Sequence, residues 1–254
     1  IRCGRCRRRR SNHPVETAPG QFADPRNTHS SSAASVPLEA ASMTDLHNRI
    51  VGIVGRKGSG KSTRAATLLK YVRRILVWDP MADHRPLLPD SIEGIRDELE
   101  DYLDEANDKG TFACSYVPGH DLEREFDQVC ELVYDIGNLL FVVEEAPLVC
   151  KAGHIPPRFG QIVRTGPHLR LDLLWTAQRA SEVSRTLTSA TDFWILYSQT
   201  EPRDLDAIAE RCGREVASKV AELGLHDFFV WDVIERTTLT NVPRLLKRES
   251  VHAA

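Results

Sequence analysis

The fold is decided by the stretch Ile50-Val51-Gly52-Ile53-Val54-Gly55-Arg56-Lys57-Gly58-Ser59-Gly60-Lys61-Ser62-Thr63. Its first five residues are a short apolar run, which is typical of a buried β-strand. The next eight match the pattern G-x-x-x-x-G-K-[ST], and a helical pattern follows with Ala65, Leu68 and Leu69 on one face. A strand, a glycine-rich turn and a helix in this order predict a loop that surrounds phosphate groups.

The glycine-rich turn carries the groups that bind phosphate. Its glycines let the backbone turn tightly, and its N–H groups and the helix N-terminus present partial positive charge to an anion. Lys61 is predicted to contact the β- and γ-phosphates, and the Ser62 hydroxyl to ligate Mg²⁺. We therefore predict a site for a nucleoside triphosphate and Mg²⁺, formed by Gly55, Arg56, Lys57, Gly58, Ser59, Gly60, Lys61, Ser62 and Thr63.

Two adjacent acids follow a second apolar run, in which residues 139–143 lead directly into Glu144 and Glu145. A strand of this composition is buried on both faces of a parallel sheet, and ligand sites of such sheets lie at the carboxyl ends of the strands. We predict that Glu144 holds Mg²⁺ through its water shell and that Glu145 deprotonates an attacking water. The alternative is an acidic pair that starts a solvated loop or helix.

A side-chain amide ends a later predicted strand, where residues 171–175 lead into Thr176-Ala177-Gln178-Arg179. An amide at this place can hydrogen-bond both the γ-phosphate and the attacking water. Taken alone the signal is weak, because polar strand ends are commonly just solvated. Its weight comes from following the acidic strand at the distance of one crossover. Lys61, Glu145 and Gln178 are therefore the predicted catalytic residues.

Strands and helices alternate along the chain. Further strands are predicted at residues 75–78, 112–117, 193–197 and 228–231, and helices at 60–74, 95–103, 122–137, 157–166, 202–212 and 215–223. This alternation implies a mainly parallel sheet with right-handed crossovers and helices on both faces. We predict one three-layer α/β domain of the P-loop NTPase type (RecA/ASCE-like) over residues 43–254.

Residues 1–42 differ in composition from the rest. They contain seven Arg and three acids, a net charge of +4, so residues 43–254 carry −7 within the total of −3. Without apolar periodicity, this segment is predicted to be a disordered basic tail. Met43 precedes the first strand, so one interpretation is that the natural chain starts there; the rival interpretation is a basic arm that touches nucleic acid.

The acidic domain excludes a broad DNA-coating surface, because such surfaces are basic. Any DNA contact must therefore depend on a few local basic groups. The candidates are Arg179, Arg185, Arg203, Arg244, Lys247 and Arg248, and for each the alternative is an ordinary solvated surface charge.

Taken together, the motifs resemble the HerA/FtsK superfamily of DNA-pumping ATPases, which includes genome-packaging ATPases of bacteriophages. The resemblance covers about residues 49–200 and rests on Gly55 to Thr63, Trp78-Asp79-Pro80, Val143-Glu144-Glu145-Ala146-Pro147 and Thr176-Ala177-Gln178-Arg179. It implies an Mg²⁺-dependent ATPase, with ATP as the nucleotide, that translocates or packages DNA. Asp79 is predicted either to hold a residue that contacts the nucleotide or Mg²⁺, without contacting them itself, or to cap the turn before Pro80.

The resemblance also implies a strand order and an assembly. The Gln178 strand would lie between the Lys61 strand and the Glu145 strand. Members form rings, commonly hexamers, with nucleotide at the subunit boundaries and DNA, here expected to be double-stranded, in the central channel. A neighbouring subunit supplies an arginine to the phosphates, for which Arg164 is the first candidate and Arg170 the second. The alternative is a surface arginine in a polar segment.

Two other functions remain open. A small-molecule kinase must exclude water, which a Glu145–Gln178 pair would instead position. A nucleotide-dependent virion assembly or secretion factor, as in the related morphogenesis proteins of filamentous phages, would not need DNA. Those proteins generally carry a transmembrane segment, whereas no run here approaches 18 apolar residues. With no secretory signal and six scattered cysteines, we expect a cytoplasmic location, in the host cytoplasm if the protein is phage-encoded.

Overall fold

The structure is a computed structural model that describes residues 49–239, apart from residues 71, 85–87 and 95. The predicted tail over residues 1–42 lies outside the described residues. The same holds for Arg244, Lys247 and Arg248, three of the candidate DNA contacts.

The strands are short and mostly buried. They are β1 (Ile50–Val54), β2 (Arg74–Trp78), β3 (Asp90–Glu93), β4 (Phe112–Val117), β5 (Leu140–Val143), β6 (Asp172–Ala177), β7 (Phe193–Tyr197), β8 (Phe228–Asp232) and β9 (Thr237–Leu239). Every residue of β1 and β5 is buried. Continuous apolar runs of this kind are what a central strand with helices on both faces requires.

The helices connect these strands. They are α1 (Lys61–Leu69), α2 (Arg96–Lys109), α3 (Leu122–Ile136), α4 (Pro157–Leu169), α5 (Arg185–Ser189), α6 (Pro202–Cys212) and α7 (Arg214–Glu222). Single 3₁₀ turns at Ala146–Leu148 and Ala180–Glu182 follow the predicted site residues. Among the described helices, none combines the length and the apolarity that crossing a bilayer requires.

The described strands form one sheet in the order β3-β4-β2-β5-β6-β1-β7-β8-β9. All pairs from β3 to β7 are parallel, and β8 and β9 are antiparallel. The carboxyl ends of β1, β5 and β6 therefore lie side by side at one edge. As the resemblance implies, β6 lies between β1 and β5.

Helices cover both faces of this sheet. On one face, helices α2 to α7 contribute to the core, where the rings of Phe126, Phe141 and Phe159 have centroids between 5.2 and 6.3 Å apart. On the other face, α1 packs against the strands through Ala65 and Leu68. Within the described residues, α1 is the one helix in this second core. The predicted three-layer α/β fold is thus confirmed.

Several element bounds differ from the predictions. Helix α1 ends at Leu69, five residues before the predicted end, because β2 already begins at Arg74 and the chain must reverse between them. Helix α2 is longer than predicted. Strands β3 and β9 were not predicted, because β3 has one buried apolar residue, Ile92, and β9 has three residues, too few to show an alternating pattern.

Candidate active site

The loop between β1 and α1 surrounds the Lys61 ammonium. Lys61 Nζ donates hydrogen bonds to the carbonyl oxygens of Gly55 at 2.7 Å and Arg56 at 3.3 Å. Gly60 has a φ of 103°, a left-handed conformation that favours glycine. A Cβ on Gly55 would lie 2.5 Å from Tyr197 Cβ, so the close packing of this loop on β7 also requires glycine.

Buried polar groups in this loop suit a phosphate. Ser59 is 1% exposed, and its hydroxyl has no hydrogen-bond partner among the described residues. Burial lowers the pKa of the Lys61 ammonium, although Glu145 and Glu144 act in the opposite direction. An anion would satisfy the Ser59 hydroxyl and offset the burial of the ammonium. The loop therefore fits a triphosphate, and Ser62, the second residue of α1, lies at the same helix end.

Glu144 is held at both carboxylate oxygens. His84 Nε2 lies 2.6 Å from Oε1, and Thr176 Oγ1 donates to Oε2 at 2.5 Å. Each oxygen keeps one further acceptor position for a cation or its water shell. No group of three or more His, Cys, Asp or Glu in the described part of the chain could form a metal site. A site with one carboxylate, that of Glu144, suits Mg²⁺, because this ion keeps several waters and shares its coordination with substrate phosphates.

A buried hydrogen-bond network fixes His84 behind Glu144. Asp79 is fully buried and accepts from the N–H groups of Asp83 at 2.9 Å and His84 at 2.8 Å and from the Ser115 hydroxyl at 3.0 Å. Burial acts to lower the pKa of His84, but the hydrogen bond to Glu144 and the surrounding carboxylates outweigh it and raise that pKa. Asp79 thus caps the turn after β2 and also supports Glu144 through His84.

Glu145 has a strained backbone, with φ 49° and ψ 54°. For a residue other than glycine this conformation costs about 1–3 kcal/mol, and such strain is concentrated at functional sites. The Glu145 N–H donates to Thr176 Oγ1 at 3.0 Å, so Thr176 contacts both acids. Burial raises the pKa of Glu145, while Lys61 and hydrogen bonds from Gln178 lower it in part.

Gln178 directly follows β6, between the Lys61 loop and the acids. Its side chain is exposed and lies close enough to Glu145 to lower the pKa of that carboxyl. Its carbonyl oxygen accepts a hydrogen bond from Nε2 of Gln199 at 2.9 Å, and Gln199 is a buried residue beyond the end of β7. The structure therefore brings Lys61, Glu145 and Gln178 together at one edge of the sheet.

The residue after Gln178 is tied to helix α6. Arg179 Nε donates to Asp204 at 3.0 Å, and the fully buried Asp204 also accepts from the Ser181 N–H at 3.1 Å and hydroxyl at 2.6 Å. Arg179 was a candidate DNA contact, but here its guanidinium is engaged within the fold. The segment that follows Gln178 is consequently anchored.

The two candidate arginines lie on different parts of the segment before β6. Arg164 is exposed on α4, and its side chain makes no hydrogen bond or ion pair within the described residues. Its guanidinium folds back over Gly160, where a Cβ would stand 3.2 Å from Nη2. Because Gly160 lies towards the N-terminus of α4, the group points along the helix towards the carboxyl edge of the sheet. Arg170 lies just before the start of β6, at the opposite edge.

Sequence reasoning missed three residues of this site. His84, Ser115 and Gln199 have no motif around them, and each acts across a long sequence separation. The local sequence carries no signal for His84, because its partner Glu144 is 60 residues away. A polar residue inside a buried strand, such as Ser115 in β4, is the kind of signal that could have been followed, since buried hydroxyls need partners.

Comparison with known protein sequences found a relative in a bacteriophage. No family model matches the chain. Protein P9 of Pseudoalteromonas phage PM2 is 27% identical over 146 residues, which cover 56% of this chain and 64% of that protein. The chain thus spans somewhat less than two thirds of the length of this relative.

Solved structures of a viral protein share the fold. The genome packaging NTPase B204 from Sulfolobus turreted icosahedral virus 2, in complex with AMP, superposes with a TM-score of 0.64 at 20% identity, over 77% of this chain and 98% of B204. Its complex with ATP-gammaS gives a TM-score of 0.61 at 19% identity, over 75% and 95% of the two chains. At these identities the matches establish the fold.

Proposed function

We propose that this chain is an Mg²⁺-dependent ATPase that drives the translocation or packaging of DNA. The convergence of Lys61, Glu145 and Gln178 beside a phosphate-binding loop carries the proposal. Two further findings support it: the similarity to a phage protein, and the fold shared with a viral genome packaging NTPase that binds AMP and ATP-gammaS.

The proposed binding site is the loop from Gly55 to Thr63. Its N–H groups, the Ser59 hydroxyl and the Lys61 ammonium bind the phosphates. Ser62 and, through water, Glu144 hold Mg²⁺, which supplies positive charge to the phosphate oxygens. His84 and Thr176 keep the Glu144 carboxylate in one orientation.

In the proposed reaction Glu145 accepts a proton from a water while the oxygen of that water bonds to the γ-phosphorus. The bond between this phosphorus and the β–γ bridging oxygen breaks, which gives ADP and inorganic phosphate. Burial favours the base, because a carboxylate with a raised pKa accepts a proton more readily. Gln178 orients the water, and Lys61 stabilises charge on the phosphates.

The Glu145–Gln178 pair favours water over a bound acceptor and thus a hydrolase over a kinase.

The proposed assembly is a ring, a hexamer by resemblance, with double-stranded DNA in its channel. Arg164 of a neighbouring subunit is the proposed arginine at the γ-phosphate. Its guanidinium has no partner within the described residues and points to the carboxyl edge of the sheet, where the phosphate loop lies.

The test is the ATPase rate with and without double-stranded DNA, together with the mass in solution by light scattering. We expect Mg²⁺-dependent hydrolysis by an oligomer and a rate that double-stranded DNA increases. Hydrolysis that DNA leaves unchanged would contradict the motor and would favour the assembly or secretion factor. Transfer of phosphate to a small-molecule acceptor without hydrolysis would favour the kinase.

A further inference from the structure

The direction of a bound nucleotide follows from the strand order. Glu145 and Gln178 follow β5 and β6, which lie on one side of β1. The terminal phosphate must face these residues, so it lies on that side of the Lys61 loop. The sugar and base then extend to the other side of β1, towards the carboxyl end of β7 and the start of β8.

A cation and two aromatic rings lie at this place. Tyr197 ends β7 and pairs with Phe228, the first residue of β8, with 5.4 Å between their ring centroids. The Tyr197 hydroxyl donates to the Gly60 carbonyl oxygen at 3.3 Å. Arg64, one turn into α1, has its Cζ 4.0 Å from the centre of the Phe228 ring. The phosphate loop, α1 and β8 are thus joined through these side chains.

The Arg64 guanidinium has no hydrogen-bond or ion-pair partner among the described residues. Its Nε is buried without a hydrogen-bond partner, and no acid pairs with it in the part of the chain that the structure describes. Arg64 and Phe228 are both partly exposed, so a ligand can reach them. Arg64 stands one turn into α1 and beside Phe228, on the side of the loop where a base would extend.

We propose that Arg64, supported by Phe228, stacks on the base of the nucleotide and sets a preference for purines. This inference rests on the proposed function. Guanidinium groups and aromatic rings both stack on bases, and Phe228 restricts the Arg64 side chain before binding. A stack senses the size of a base and not the hydrogen-bonding groups at its edge. ATP and GTP therefore bind similarly, and both bind more tightly than CTP and UTP.

The test measures dissociation constants by calorimetry for ATP, GTP, CTP, UTP and inorganic tripolyphosphate. The proteins are the full-length wild type, Arg64→Ala, Arg64→Lys, Phe228→Leu and the surface control Arg214→Ala. Arg64→Ala is expected to weaken ATP binding by about 5- to 20-fold, within the range for one stacked base, and to change tripolyphosphate binding less than about twofold. Arg64→Lys keeps the charge without the planar group, so it should also lose the purine preference.

The outcomes distinguish a base stack from a phosphate contact. A loss for tripolyphosphate equal to that for ATP would mean a phosphate contact and would overturn the inference. Unchanged ATP binding by Arg64→Ala and Phe228→Leu, or no purine preference in the wild type, would overturn it while leaving the proposed function intact. A wild type that binds no nucleotide would overturn both. Melting temperatures identify a variant that fails to fold, and Arg64→Lys then provides the comparison.

Discussion

His84 Nε2 lies 2.6 Å from Glu144 Oε1, and the His84 side chain is fully buried. Asp79 holds the His84 backbone from one side, while Thr176 holds the other oxygen of Glu144. The orientation of the Glu144 carboxylate is therefore set from two sides, by His84 in the turn after β2 and by Thr176 near the end of β6. A residue that no motif includes thus positions the proposed magnesium-binding acid.

Replacement of His84 should weaken the use of Mg²⁺ more than the binding of nucleotide. In His84→Ala one Glu144 oxygen loses its partner, so we expect the Mg²⁺ concentration for half-maximal ATPase activity to rise by about 10- to 100-fold. Unfolding free energy should fall by about 1–3 kcal/mol, the cost of a buried unsatisfied group. The measurements are ATPase rates against Mg²⁺ and urea unfolding.

A partial rescue distinguishes positioning from simple loss of packing. His84→Gln retains a side-chain donor and should recover part of the Mg²⁺ dependence, while the exposed control His154→Ala should behave as the wild type. If His84→Ala and His84→Gln show wild-type Mg²⁺ dependence, His84 does not position Glu144.

Glu145→Gln should separate binding from hydrolysis. The amide is nearly isosteric but cannot accept the proton of the attacking water, so kcat is expected to fall by about 10²- to 10⁴-fold. Nucleotide affinity should be retained, because the loop and Lys61 are unchanged; Lys61→Ala should instead lose phosphate binding. Single-turnover hydrolysis and calorimetry measure the two effects. The matched control is Glu222→Gln, which replaces an exposed acid at the end of α7. Wild-type turnover by Glu145→Gln would rule out Glu145 as the base.

Features that depend on residues close together in sequence could be predicted, whereas contacts between residues far apart in sequence could not. Gly55 to Ser62 carry strand, turn and helix signals within one short segment, so the phosphate loop could be predicted. The apolar runs before Glu145 and Gln178 indicated buried strands, and parallel strands place their ends at one edge. The contact between His84 and Glu144 depends on how β2 and β5 pair, which no local pattern encodes. Strand β3 was missed because a short exposed edge strand carries one apolar residue, Ile92.

The assignment of Arg164 can be tested by mixing two inactive proteins. Arg164→Ala leaves its own nucleotide site intact but removes the arginine that it would offer to a neighbour, so ATPase activity should fall by about 10³-fold or more. Lys61→Ala has a defective site but keeps Arg164. If Arg164 acts across a subunit boundary, the mixture should be more active than either protein alone, in a concentration-dependent way. No recovery in confirmed mixed oligomers would contradict this role, and Arg170→Ala serves as the comparison.

Gly52 should be indispensable for the packing of the central strands. A Cβ on this residue would lie 2.4 Å from Cζ2 of Trp175, whose ring is fully buried. The ring has no room to yield, because its Nε1 donates to Thr191 at 3.0 Å and Trp194 packs against it with centroids 5.4 Å apart. Gly52→Ala is therefore expected to lower the unfolding free energy by about 1–3 kcal/mol, the usual cost of overpacking a core. The control is Gly160→Ala, whose Cβ would meet the movable end of Arg164 and whose helical position favours alanine by about 0.5–1 kcal/mol. The measurement is urea unfolding of both variants. Equal stability of Gly52→Ala and the wild type would show that the Trp175 ring can move to admit the methyl group.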